Sequence, residues 1–161
     1  RDVFIGNNVL VRGNTSLAAG CVVGYGAEIK STLALEGASI GPGCAVPDAV
    51  LGKNWILGGA VRISNTHPRG ESVRYKSGEA LIDTKRMHFG AIIGDGAVLA
   101  GGVRVSPGRN VAPDAFVGPS VVVVRNVVAR TRVELEQKLR VTSNPGPMDD
   151  KQQAQRDVRE T

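Results

Sequence analysis

Aromatic side chains are almost missing from this chain: 4% of 161 residues, counting one Trp, two Tyr and three Phe. Such a deficit suits a narrow solenoid filled by Val, Ile, Leu and Ala better than a globular core built on rings. Cysteine is equally scarce. Two residues, Cys21 and Cys44, make neither a disulfide framework nor a zinc site. No secretory signal and no long apolar run is present, so the expectation is a soluble, cytoplasmic protein without a membrane partner. The net charge of +5 points weakly to anions. Aromatic–basic interleaving is absent, so nucleic acid is not the expected partner and a phosphorylated small molecule fits. The chain also starts without a methionine, directly on a repeat. It is therefore expected to be a fragment, its N-terminal end covered by whatever precedes Arg1.

What the chain does have is a register. Aliphatic residues stand at Ile93, Leu99, Val105, Val111, Val117 and Val123, six apart throughout. The residues that follow are small: Gly94, Ala100, Ser106, Ala112 and Gly118. An amphipathic helix has a period of 3.6 and a half-buried strand a period of 2, so neither explains six. A parallel β-helix of hexapeptide repeats does. Each repeat makes a short strand and a corner, and three repeats close one triangular coil. The 21 glycines, above average usage, fit those corners.

The same register runs through Ile5, Val11, Leu17, Val23 and Ile29, slips through LEGAS, and is restored at Leu51 and Leu57. About five coils are expected. Cys21 and Cys44 each fall four residues after an inward aliphatic, Leu17 and Ile40, where a small buried residue is wanted. From 64 to 91 the register vanishes into a long protruding loop that holds both histidines. A long insertion in a solenoid is a place for function, although a solvated hairpin is the plainer reading. Thr131 followed by Glu134 has the form of a capping box. With Val133, Leu135 and Leu139 on one face it predicts a short C-terminal helix within 127–141, lying on the last coil. Residues 142–161 read as a polar tail. The domain layout is therefore 1–126 for the solenoid, then helix, then tail.

The stretches AEIKSTLALEGASI, DAVLGKN and LIDTKRMHFGAIIGDGA carry a more specific likeness. With the regular run to Val123 they resemble the C-terminal left-handed β-helix domain of the sugar-1-phosphate nucleotidylyltransferases, in particular the archaeal-type bifunctional nucleotidylyltransferase/acetyltransferases. The resemblance covers about three-quarters of the chain. It implies an all-β, left-handed parallel β-helix, a homotrimer, and a nucleotidylyltransferase domain preceding this one. It also implies a role in nucleotide-sugar biosynthesis, with a sugar phosphate or nucleotide sugar as partner and acetyl-CoA as cosubstrate. The matched positions make Arg12 and Lys30 the phosphate-holding cations and Asn65 the ligand-orienting amide. Arg74, Lys85, Arg86 and His88 are the loop residues that would face acetyl-CoA or phosphate.

Departures weigh against the family's acetyl transfer. Counted from Lys30, the family's general-base histidine is Pro42, its tyrosine is Ala45, and a further asparagine is Ile56. Proline and alanine cannot accept a proton, and general-base catalysis supplies about a hundred- to ten-thousand-fold. Transfer is then impaired or altered, unless another residue serves. The ISNTHP segment, with Arg74 seven residues beyond His67, resembles the catalytic loop of the maltose and galactoside acetyltransferases, which makes His67 the candidate base; an imidazole suits that task near neutral pH. No metal is expected: a γ-carbonic-anhydrase-type site needs three histidine ligands, and the chain has two.

Overall fold

The computed structural model describes residues 2–143, which up to Val133 form short strands, turns and corners. Strands of two or three residues stack in parallel on three flat faces of a left-handed prism. The first face has seven strands, beginning with Phe4–Ile5 and ending with Arg132–Val133. The second carries six, from Leu10–Arg12 to Val122–Val123, and the third five, from Ser16–Leu17 to Arg109–Val111. That makes about seven coils rather than the expected five. The slip in register explains the difference. Inward positions five apart, at Ala34 after Ile29 and Leu51 after Val46, keep their strands paired (Leu17 with Ala34, Ala34 with Leu51). A corner shortened by one residue does not disturb the ladder, so no coil is lost.

The predicted inward residues from Val23 to Val123 are buried, and Cys21 and Cys44 are each 1% exposed. Ile5 and Val11, on the first coil, are 50% and 42% exposed because no described coil lies over them. Small residues follow the inward ones for a reason visible in the stacking. A Cβ added at Gly58 would come 2.6 Å from Gly101 N on the next coil, so these corners lie backbone on backbone. The one large ring in the prism is Trp55, fully buried. Trp55 O accepts Ser39 N–H on one neighbouring coil and Ile56 N–H donates to Ala97 O on the other, both at 3.0 Å, so small alanines, Ala38 and Ala97, stand at the equivalent places above and below the indole. The indole N–H donates to Gly52 O at 2.9 Å, so no polar atom is stranded.

The long loop leaves the prism after Ile63 and returns at Ala91, at the edge between the second and third faces. It contains an antiparallel hairpin, Arg74–Ser77 with Ala80–Asp83. Val73 is buried, and Thr84 Oγ1 donates to Val73 O at 2.5 Å, which fixes the hairpin's base.

The predicted C-terminal helix does not form. Thr131 gives its hydroxyl to Val128 O at 2.6 Å instead of capping a helix, and its carbonyl accepts Phe116 N–H. Val133 takes the inward position over Val117. Arg132 lies over the Phe116 ring at 4.2 Å and pairs with Glu134 at 2.8 Å. A one-turn helix signal is weak on its own, whereas the open edge of the first face offered a complete ladder partner. Leu135 and Leu139 remain exposed, and residues 134–143 are irregular. The polar tail lies, from 144 onward, outside the described residues. Among the described residues no helix is long and apolar enough to cross a membrane.

Candidate functional site

The second face is built from Leu10–Arg12, Glu28–Lys30, Ala45–Pro47 and Arg62–Ile63 in that order. In a strand, alternate residues face outward, so the residues flanking each inward aliphatic project from this face. Arg12 therefore stands beside Lys30 on the neighbouring coil. Together with Glu28, Ala45, Val46, Pro47, Asn65 and His88 they line a recess of about 350 Å³. All three residues expected to hold substrate, and one of the two histidines, meet here.

The cations differ in availability. Arg12 Nε donates to Glu28 Oε1 at 2.9 Å and its Nη2 to the same oxygen. Among the described residues Lys30 has no ion-pair partner. Its strand is braced from beneath by Thr32, the one buried polar residue among the described residues. The Thr32 hydroxyl lies 2.9 Å from both Lys30 O and Val46 O and accepts Ala49 N–H at 3.3 Å.

The two ends of the long loop are tied to this wall. Asn65 Nδ2 donates to Asp48 Oδ2 at 2.6 Å, and among the described residues its amide oxygen accepts no side-chain or backbone hydrogen bond. Phe89 N–H donates to Asn65 O and Gly90 N–H to Asp48 O, both at 2.8 Å. His88 is thereby held next to Asn65. Gly90 has no substitute in this closure, since a Cβ there would lie 2.2 Å from Pro47 O.

His67 lies elsewhere. With Glu71, Ser72, Val73, Arg74, Leu81, Pro107 and Arg109 it lines a smaller cavity of about 220 Å³ beneath the hairpin. His67 Nδ1 is 3.9 Å from Glu71 Oε2 and accepts Arg69 N–H at 3.4 Å. Arg74 lines the same cavity as His67. Lys85 and Arg86 line neither cavity. Lys85 instead gives its backbone N–H to Asp83 Oδ1 at 2.9 Å. That bond, with one from the Ser72 hydroxyl, holds the Asp83 carboxyl below its ordinary range.

Arg109 was not anticipated. Its Nε is buried and, among the described residues, has no hydrogen-bond partner, a state rare enough to ask for an explanation. The signal was present in the register: Arg109 stands four residues after inward Val105, where Cys21, Cys44, Ala97 and Ala115 occupy the equivalent buried place.

Of the positions where the resembled family has catalytic groups, Ala45 lines the larger recess. Pro42 sits at the corner formed by residues 41–43, accepting Ala60 N–H at 2.8 Å, and takes no part in it. Ile56 projects, about half exposed, from the first face. Among the described residues no group of three or more His, Cys, Asp or Glu side chains is arranged to hold a metal ion.

No family model matches the chain. Among curated proteins, the "putative uncharacterized acetyltransferase YaiX" of Escherichia coli K12 is 34% identical over 83 residues. The matched stretch covers 52% of this chain and 36% of YaiX. Among solved structures, PerB from Caulobacter crescentus, crystallised with CoA and GDP-perosamine, superposes with a TM-score of 0.61 at 22% identity. It aligns with 81% of this chain and 54% of its own. WeeI from Acinetobacter baumannii AYE gives a TM-score of 0.54 at 18% identity, over 76% of this chain and half of its own. The chain thus has the left-handed parallel β-helix fold seen in these proteins, and it spans about half the length of the solved structures it matches.

Proposed function

We propose that this chain carries the acceptor site of an acetyl-CoA-dependent acetyltransferase acting on a phosphorylated or nucleotide-linked amino sugar. The observation that carries the reading is the meeting of Arg12, Lys30, Asn65 and His88 in one recess. Two cations on neighbouring coils suit a phosphate, by charge-assisted hydrogen bonds. The Asn65 amide oxygen can accept from the sugar amine and hold it close to His88. His88 then serves as the base in place of His67, because it is the histidine that shares the recess with the cations. The amine nitrogen attacks the thioester carbonyl and forms the amide C–N bond. The C–S bond breaks, and the proton lost by the amine passes through His88 to the departing thiolate. CoA bound to the same fold in PerB supports the choice of cosubstrate. Trimer formation belongs to the same reading, supported by half-exposed aliphatic residues on flat faces: Val22 and Ile56 on the first, Leu33 and Val50 on the third.

A second reading is favoured by Pro42 and Ala45, which remove a base and a hydroxyl from the places where the resembled nucleotidylyltransferases have them. In it the prism assembles the protein and binds a sugar phosphate without transferring an acyl group, downstream of a nucleotidylyltransferase domain. Thiol release from acetyl-CoA in the presence of glucosamine 1-phosphate or a nucleotide-linked amino sugar separates the two. Under the first reading His88→Asn lowers kcat by about 10²–10⁴ with KM little changed, and His67→Asn leaves the rate within a few-fold. Full activity in His88→Asn refutes the assignment of the base. Absence of thiol release from the wild type refutes transfer to these acceptors.

A further inference from the structure

On the coils that follow the recess, the second face presents Arg62 and Arg104 directly opposite one another in the parallel ladder. Neighbouring strands lie about 4.8 Å apart, and like charges so placed repel. Among the described residues neither arginine has an ion-pair partner or a side-chain hydrogen bond. Both are exposed on the outward side, with Ile63 and Val105 buried behind them. With Ala60, Gly102, Ser120 and Val122 they line a recess of about 490 Å³ that contains no acid. Everything else there is small, aliphatic or a hydroxyl.

This recess lies on the same face as the first. Arg62 pairs with Ala45, and Ala45 with Glu28, so one face carries Lys30, the low floor of Ala45 and Pro47, then Arg62 and Arg104. From the Glu28 coil the two arginines lie about 10 and 14 Å away, at two and three strand spacings. Planar guanidinium forks suit phosphate oxygens, and two of them at one strand spacing suit adjacent phosphates better than a single carboxylate.

We propose that Arg62 and Arg104 form a diphosphate-binding site, which holds the diphosphate of a ligand whose reactive end lies over Ala45 toward Lys30 and His88. The anion site follows from the ladder alone. The placement of the ligand's other end rests on the proposed function. A diphosphate ester has two sources in that reaction, CoA and a nucleotide-linked sugar, and the test distinguishes them.

Inorganic pyrophosphate, CoA and UDP-N-acetylglucosamine are titrated calorimetrically at low salt into wild type, Arg62→Gln/Arg104→Gln, Arg62→Lys/Arg104→Lys and Lys30→Met. The Gln pair is expected to weaken pyrophosphate at least tenfold, with the Lys pair intermediate because it keeps charge and loses the fork. Because Arg12 and Lys30 offer a phosphate site of their own, Lys30→Met should weaken that site alone and keep the pyrophosphate site that the Gln pair removes. Relief of repulsion should give the Gln pair an unfolding midpoint equal to or above that of wild type. Whichever of CoA and UDP-N-acetylglucosamine loses affinity in the Gln pair is the source of the diphosphate. If pyrophosphate binds wild type and neither ester does, the functional reading fails while the anion site stands. An unchanged pyrophosphate affinity in the Gln pair, a lowered midpoint, or wild-type affinity for both esters overturns the proposal.

Discussion

Glu28→Gln should tighten the binding of a sugar phosphate, although it removes an ion pair. One oxygen of Glu28 occupies both the Nε and the Nη2 of Arg12. Arg12 must therefore release a carboxylate before its fork can grip a phosphate, while Lys30 is ready. The side chains of Arg12 and Glu28 are 54% and 43% exposed, so the pair contributes only about 0.2–1 kcal/mol to stability. Its loss should lower the unfolding midpoint by no more than about 4 °C for a domain of this size. The gain in affinity comes from removing a negative charge beside the phosphate. At about 6 Å, in a wet recess with an effective dielectric of about 40–80, one unit of repulsion is worth about 0.7–1.4 kcal/mol. That is about three- to tenfold in Kd for each unit of ligand charge.

Calorimetry with glucose 1-phosphate reads this cleanly, because that ligand has no amine for Glu28 to hold. The gain should shrink in 1 M salt, where the Debye length falls to about 3 Å. Lys30→Met should weaken binding in the same assay, and more than Arg12→Met does, since Arg12 is already half neutralised. Unchanged or weaker binding of glucose 1-phosphate by Glu28→Gln would refute the charge balance assigned to the recess, and with it the phosphate role of Arg12.

Two further outcomes follow from the prism itself. Trp55→Ala should cost about 3–5 kcal/mol in chemical denaturation, because the indole is fully buried between alanine-bearing coils that cannot close the gap; a loss under 1 kcal/mol would mean the core relaxes far more than this stacking allows. Cys44 should resist iodoacetamide at pH 8 in the native protein and react at once in denaturant. Burial pushes its thiol above the ordinary 9.0, and Sγ lies against Gly58 O at 3.1 Å. A folded-state pKa raised in this way adds stability that is complete below the unfolded value and is lost as pH rises through the folded one. Cys44→Ala should therefore flatten the alkaline limb of the stability curve above about pH 9, and an unaltered limb would disprove the linkage.

By itself the sequence determined the solid parts of this protein. A six-residue period can be satisfied by few backbones, and each inward residue is bound by its nearest neighbours in the chain, so Val23 to Val123, the buried cysteines and the loop from 64 onward were all legible. It also brought Arg12 to Lys30, because residues one coil apart are neighbours at a known spacing. Tertiary structure decided what depends on partners remote in sequence or on competition between local and long-range bonds. The helix signal at Thr131 and Glu134 gave way to a ladder with Phe116 and Val117. The two histidines of one loop were parted by where its ends are tied, His88 to the wall at Asp48 and Asn65, His67 beneath the hairpin. Arg109 was readable as a break in the register, but only packing of the loop over it made its Nε an orphan. Arg62 and Arg104 are 42 positions apart in the chain, and the insertion between them hides a juxtaposition that the closed coil restores.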